Sequence, residues 1–189
     1  MSRIATLVLL AAAAVLPRSA DAQLTAKIGA SFASATKSDL APDVNTRTGL
    51  AAGLGFAFQI GNGVFALHPE LLYVQKGGDL GGDGGGSLKI DELDLPLLAQ
   101  FNIPIEALTP FLLAGPQAEF ELSCEAAGED CVDSESVRWG AVLGLGARVG
   151  DLVTLEARYN WTFNEISDQL SSKPRTILLL AGLQFGRRR

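Results

Sequence analysis

Between Val153 and Asn164 the chain reads Val-Thr-Leu-Glu-Ala-Arg-Tyr-Asn-Trp-Thr-Phe-Asn. The odd-numbered residues Val153, Leu155, Ala157, Tyr159, Trp161 and Phe163 are all apolar or aromatic. The even-numbered Thr154, Glu156, Arg158, Asn160, Thr162 and Asn164 are all polar. A β-strand sends successive side chains to opposite faces, so this period of two makes one apolar wall and one polar wall. The aromatics gather at one end of the apolar wall, and the polar wall carries both signs of charge. That combination suits a strand with lipid on one side and a polar interior on the other, its aromatics at the membrane–water boundary.

The same pattern recurs along the chain. With Leu152–Asn164 included, it predicts eight strands over 24–34, 48–60, 64–76, 92–102, 110–122, 138–149, 152–164 and 176–186. The fourth is the clearest after the stretch just described: Leu93, Leu95, Leu97, Ala99 and Phe101 alternate with Glu92, Asp94, Pro96, Leu98, Gln100 and Asn102. Each segment meets the 9–11 residues that a tilted membrane-spanning strand needs. Pro69, Pro96 and Pro116 fall inside predicted strands, where each removes a ladder donor, so bulges or kinks are expected there. Inward glycines leave room in a narrow barrel filled by side chains.

The N-terminus sets the compartment. Arg3, the apolar run Ile4–Leu16 and Ala20-Asp21-Ala22 read as a secretory signal peptide, residues 1–22, cleaved before Gln23. The barrel domain is then 23–189. Losing Arg3, Arg18 and Asp21 takes the 15 basic and 21 acidic residues of the chain to 13 and 20, a net charge of −7. Such a balance argues against nucleic acid as a partner. No later stretch is apolar for long enough to form a spanning helix. Cys124 and Cys131 are the only cysteines. Export places them in an oxidising compartment, where a disulfide is expected; too few Cys and His lie near for a metal pair.

The connectors are expected at 35–47, 61–63, 77–87, 103–109, 123–137, 150–151 and 165–175, alternately long and short. That is the pattern of extracellular loops and periplasmic turns. With both termini periplasmic, Phe58, Phe65, Phe101 and Phe185 fall near the periplasmic boundary. Tyr73, Phe120, Trp139, Trp161 and Phe163 fall near the outer one, which makes two aromatic girdles. Lys27, Glu70, Lys76, Glu92, Asp94, Glu119, Glu121, Arg138, Arg148, Glu156 and Arg158 share the face opposite the apolar set. Turned inward, they form a lumenal charge network. A soluble lipocalin-like barrel would need the faces reversed.

Several of these stretches resemble a known family: Pro69-Glu70-Leu71-Leu72-Tyr73 with Gln75-Lys76-Gly77, Leu93-Asp94-Leu95-Pro96-Leu97-Leu98, Leu112-Leu113-Ala114-Gly115-Pro116, Gly144-Leu145-Gly146 and Leu155-Glu156-Ala157-Arg158-Tyr159. They are similar to the outer-membrane β-barrel family that includes PorT-like proteins. The resemblance implies an eight-stranded barrel of the small OmpA/OmpX-like kind and makes the strand prolines a family feature. It implies little about activity. Outer-membrane barrels usually end on an aromatic residue, whereas here Gly186 and Arg187-Arg188-Arg189 follow Phe185.

No catalytic, cofactor or metal site is expected. His68, the only imidazole, has no nucleophile motif beside it and reads as an interior polar residue. The glycine-rich Gly77–Ser87 lacks the ending of a phosphate-binding loop and reads as a flexible surface loop. The acidic loop around Glu125, Glu129, Asp130, Asp133 and Glu135 reads as solvated. The expected fold is an all-β, eight-stranded, antiparallel up-and-down transmembrane barrel in the bacterial outer membrane. It is expected to be monomeric, with a side-chain-plugged lumen and a structural, adhesive or interaction role carried by its loops. A narrow pore is the alternative, and a lipocalin-like binder the more distant one. The expected partners are outer-membrane lipid, the barrel assembly machinery during insertion and a loop ligand of unspecified identity.

Overall fold

The computed structural model describes residues 22–36, 44–61, 63–80, 86–105, 108–126, 129–130, 137–150, 152–163 and 173–186. Its elements are β1 (Ala22–Thr36), β2 (Val44–Ile60), β3 (Phe65–Leu80), β4 (Gly86–Asn102), β5 (Leu108–Ala126), the two-residue β6 (Glu129–Asp130), β7 (Val137–Val149), β8 (Val153–Thr162) and β9 (Lys173–Phe185). All pairings are antiparallel. The order runs β4-β3-β2-β1-β9-β8-β7-β5, and a further β4–β5 ladder closes the ring. The result is an eight-stranded up-and-down barrel, with β6 only extending one end of β5. Closure leaves the eight-stranded ring without an edge strand, the condition for a sheet to cross a membrane.

The strands alternate as their side chains require. In β8 the buried positions are Thr154, Glu156, Arg158, Asn160 and Thr162, while Val153, Leu155 and Tyr159 are exposed. In β9, Ile177, Leu179, Leu183 and Phe185 are exposed around the wall and Thr176, Leu178, Leu180 and Gln184 are buried. Along the apolar band the charged residues therefore face the lumen, and the outer surface is apolar, with Leu145 as much as 61 % exposed. This is the reverse of a lipocalin-like barrel. An apolar surface that encircles a closed barrel is stable only in contact with lipid.

Two features differ from the sequence expectations. First, the ladders run further toward the loops than the alternation does. Leu80 pairs with Gly86 and Gly78 with Leu88, so much of the glycine-rich stretch is strand and only 81–85 separates β3 from β4. That connector is no longer than the opposite-end one, 103–107, so long and short do not alternate there. Backbone hydrogen bonding continues past the membrane-facing band, where no side-chain pattern is needed to sustain it.

Second, the prolines cause no bulges. Pro69 pairs with Leu97, Pro96 with Gln117 and Pro116 with Ala141, each with one neighbouring strand. On its other side each lies in a two-pair gap of the ladder, at 56–57/68–69, 70–71/95–96 and 97–98/115–116, with register preserved. The missing N–H is thus absorbed as a local interruption. The register shifts lie elsewhere, between Thr46 and Ala51 and between Asp91 and Glu92. The leader expected at 1–22 lies outside the described residues except for Ala22, which opens β1, and so do Cys131, Asn164 and the Arg187–Arg189 tail.

Candidate functional site

The lumen holds two layers of ion pairs. In the first, Lys27 of β1, Glu70 of β3 and Glu156 and Arg158 of β8 converge. Lys27 Nζ donates to Glu70 Oε1 and to Glu156 Oε1, both at 2.7 Å. The Arg158 guanidinium makes two bonds to Glu70, at 2.7 and 2.9 Å, and its Nε lies 2.9 Å from Glu156 Oε2. His68 Nδ1 lies 3.6 Å from Glu70 Oε1. Two cations and two carboxylates balance. Their side chains are no more than 3 % exposed. Burial on that scale is tolerated only when each charge is paired and its hydrogen bonds are filled. Small residues make the space: a Cβ on Gly55 would sit 2.8 Å from Glu70 Cγ, and one on Gly144 3.0 Å from Arg158 Cγ.

The second layer joins Lys76 of β3, Glu92 and Asp94 of β4, Glu119 and Glu121 of β5 and Arg138 of β7. Lys76 Nζ lies 2.5 Å from Glu92, 3.4 Å from Glu119 and 3.6 Å from Asp94. Arg138 contacts Glu92 and reaches Glu121 at 3.2 Å and Glu119 at 3.6 Å. Gln117 donates to Asp94 at 3.1 Å and to Glu119 at 2.9 Å, and Thr162 donates to Glu119 at 3.1 Å. Glu92, Asp94 and Glu119 bring carboxylate oxygens within 4.8 Å of one another, a grouping that could hold a cation. The Lys76 ammonium is already set among them.

Ten of the eleven charged positions proposed for the lumen therefore fall into these two layers. Arg148 is also buried, further toward the turn end of β7, opposite Thr109 and Thr154 in register. Sequence parity had put Gln117, Asn160 and Thr162 on the polar face without linking them to the carboxylates; Asn160 donates to Gln117 at 3.1 Å and extends the second layer. Parity puts Ala51, Leu72 and Leu98 on the inward face but does not single out the rest of the apolar filling. Ala51, Leu72, Val74, Leu178 and Leu180 form one buried cluster and Leu98, Phe111, Leu113 and Val142 another. The contact described for His68 is with Glu70, whose carboxylate belongs to the first ionic layer.

On the outside, Phe65 and Phe101 are register partners with ring centroids 5.2 Å apart. Phe58, opposite Ala22, and Phe185, opposite Leu24, lie toward the same end. At the other end Tyr73 and Phe120 both pair with Leu93, Trp139 lies opposite Ala118 and Trp161 opposite Ala141. The Phe163 N–H donates to the Trp139 carbonyl at 2.8 Å. Cys124 is on β5, close to the end of the strand.

A closed barrel with an apolar exterior and a paired-charge interior defines a small integral protein of the bacterial outer membrane. The chain belongs to the outer membrane protein beta-barrel domain family, whose model matches residues 17–168. Solved structures share its fold at low identity. Neisserial surface protein A is 17 % identical, with a TM-score of 0.55 over 88 % of this chain and 97 % of that one. Outer membrane protein OprG of Pseudomonas aeruginosa is 12 % identical, with a TM-score of 0.56 over 89 % and 98 %. Ail, the attachment invasion locus protein of Yersinia pestis, crystallised with the heparin analogue sucrose octasulfate, is 14 % identical, with a TM-score of 0.52 over 87 % and 99 %. No curated protein sequence matches the chain.

Proposed function

We propose that this barrel is a non-conducting, non-catalytic membrane scaffold that acts through its outward-facing surface and loops, in a structural or adhesive role. The observation that carries this reading is the burial of both ionic layers. A water-filled path past Lys27, Glu70, Glu156 and Arg158 would leave those side chains wetted, yet none exceeds 3 % exposure. Eight strands enclose a space that side chains can fill, and here they fill it with charges whose separation would be costly. What remains available to a partner is the outer end. Ail, a barrel of similar fold whose name records attachment, supports reading the outer end as the working surface.

The aromatic residues at the two ends of the apolar band support a role for them as interfacial girdles. A disulfide between Cys124 and Cys131 would brace the β5–β7 connection. Planar-bilayer recording tests the reading: the refolded barrel inserts without discrete conductance steps. Reproducible unitary steps from the purified protein would favour the narrow-pore alternative.

A further inference from the structure

The two ionic layers differ in how completely their carboxylates are satisfied. In the first, all four carboxylate oxygens of Glu70 and Glu156 accept from Lys27 or Arg158. In the second, both cations lean on Glu92: Lys76 Nζ at 2.5 Å, and the Arg138 guanidinium in direct contact. Asp94 is served less well. Lys76 Nζ stands 3.6 Å from its Oδ2, which takes a hydrogen bond at 3.1 Å from the neutral amide of Gln117. Its Oδ1 has no partner among the described residues, although Asp94 is 0 % exposed. The buried Asn160 repeats the pattern: its amide nitrogen donates to Gln117, and its Oδ1 accepts nothing among the described residues. A carboxylate this deeply buried is costly without positive charge against it, and an unpartnered acceptor in such a place points to a ligand.

The donor set narrows what that ligand is. Glu92, Asp94 and Glu119 each bring a carboxylate oxygen within 4.8 Å of the other two. A calcium ion binds oxygen at about 2.3–2.6 Å, so one ion can reach all three. Oxygen-only donors select a hard cation, and a buried site with protein ligands suits calcium better than magnesium, which keeps several of its waters. The groups behind the carboxylates are already fixed: Gln117 bonds both Asp94 and Glu119, and Thr162 bonds Glu119. There is also a way in. Thr46 pairs with Gly78 and Ala51 with Val74, so four residues of β2 face three of β3 without regular pairing. A polar recess of about 300 Å³, lined by Thr48, Gln75, Asp91 and Ser123 among others, opens beside this break and reaches Lys76. Lys76 therefore stands between the entrance and the carboxylates, a like charge that holds the affinity for a second cation down. The neutral first layer lies beyond, so entry here is binding and not conduction. We propose that the second ionic layer binds one calcium-like divalent cation through Asp94, Glu119 and Glu92.

Urea unfolding of the barrel in phosphatidylcholine vesicles, followed by tryptophan fluorescence, tests this with calcium chloride against EDTA at matched ionic strength. At about 1 mM calcium and a dissociation constant of about 0.1 mM, the folded-to-unfolded ratio rises about tenfold. Asp94→Asn abolishes the calcium response. In EDTA that variant is no less stable than the unsubstituted barrel, because it removes the carboxylate charge that Lys76 and Arg138 serve least. Lys76→Met strengthens the response, since the like charge beside the ion is gone. Glu129→Gln, on the short β6 past the end of β5, retains it, which separates the lumen from the acidic outer end. A midpoint indifferent to calcium in both the unsubstituted protein and Lys76→Met overturns the proposal. So does a response that survives Asp94→Asn or is lost equally in Glu129→Gln. An Asp94→Asn barrel that unfolds well before the unsubstituted one in EDTA also overturns it, because Asp94 is then matched within the layer without an ion.

Discussion

Arg158→Met is the most informative single change to the lumen. The guanidinium holds two carboxylates at once, with Glu70 at 2.7 and 2.9 Å and Glu156 at 2.9 Å from Nε, and among the described residues Lys27 is the other lysine or arginine bonded to that pair. Methionine fills much of the volume but leaves two buried anions on one ammonium. Breaking a buried pair from one side costs about 3–5 kcal/mol, because the remaining charge is uncompensated. Equilibrium unfolding in guanidinium, with the barrel in lipid vesicles and tryptophan fluorescence as the probe, reads the loss as a lower midpoint. Adding Glu70→Gln to Arg158→Met then restores stability, since Lys27 and Glu156 become a matched pair; the expected recovery is roughly 1–3 kcal/mol. A cost below about 1 kcal/mol for Arg158→Met, the size seen for solvent-exposed pairs, with no recovery in the double variant, would refute a dry, charge-filled lumen.

Other predictions follow from the same packing. Gly55→Val places a branched side chain where a Cβ alone meets Glu70 Cγ at 2.8 Å, and overpacking of this kind lowers the unfolding free energy by about 1–3 kcal/mol in the same assay. Leu179→Lys, on the outer face of β9 and 48 % exposed, costs about 2–4 kcal/mol in vesicles if it lies near the bilayer midplane, whereas Thr48→Lys, beyond the apolar band, costs little. Reduction of the Cys124–Cys131 disulfide proposed here adds two hydrogens to the intact mass and lowers stability by roughly 2–3 kcal/mol, as expected for so short a closed loop. An unchanged mass after reduction would show the two thiols to be free.

Alternation carried most of the architecture because the membrane and the lumen impose opposite chemistry on successive residues. Thr154 to Thr162 show this without ambiguity. The signal fades where both faces are apolar. In Ile177-Leu178-Leu179-Leu180 the inward Leu178 and Leu180 look like their outward neighbours, and only the flanking Thr176 and Gln184 fix the phase. Phe111-Leu112-Leu113 hides two lumen-filling residues in the same way. Parity assigns a face but not a partner. Glu92 and Arg138 lie 46 residues apart, and their contact depends on β4, β5 and β7 being neighbours around a closed ring.

The break between Thr46 and Ala51 left no mark in the pattern, because an extra residue above the apolar band does not turn any lipid-facing side chain inward. The glycine-rich stretch misled for a related reason. Glycine has low strand propensity, yet Gly77 and Gly78 are held in the ladder by pairing with Lys89 and Leu88. Proline was read too severely: in a closed barrel each of the three keeps one neighbour in register and opens a gap toward the other.

The most direct test of which face meets the lipid uses the two tryptophans, Trp139 and Trp161. In the refolded barrel in vesicles, their fluorescence is measured with lipids brominated at defined depths along the acyl chain and with aqueous iodide. Both residues lie on the outer wall near the outer end of the apolar band. Bromines close to the headgroup end therefore quench strongly, bromines near the chain terminus quench less, and iodide quenches weakly. Emission untouched by brominated lipid at every depth but readily quenched by iodide would mean that the apolar wall does not face the membrane.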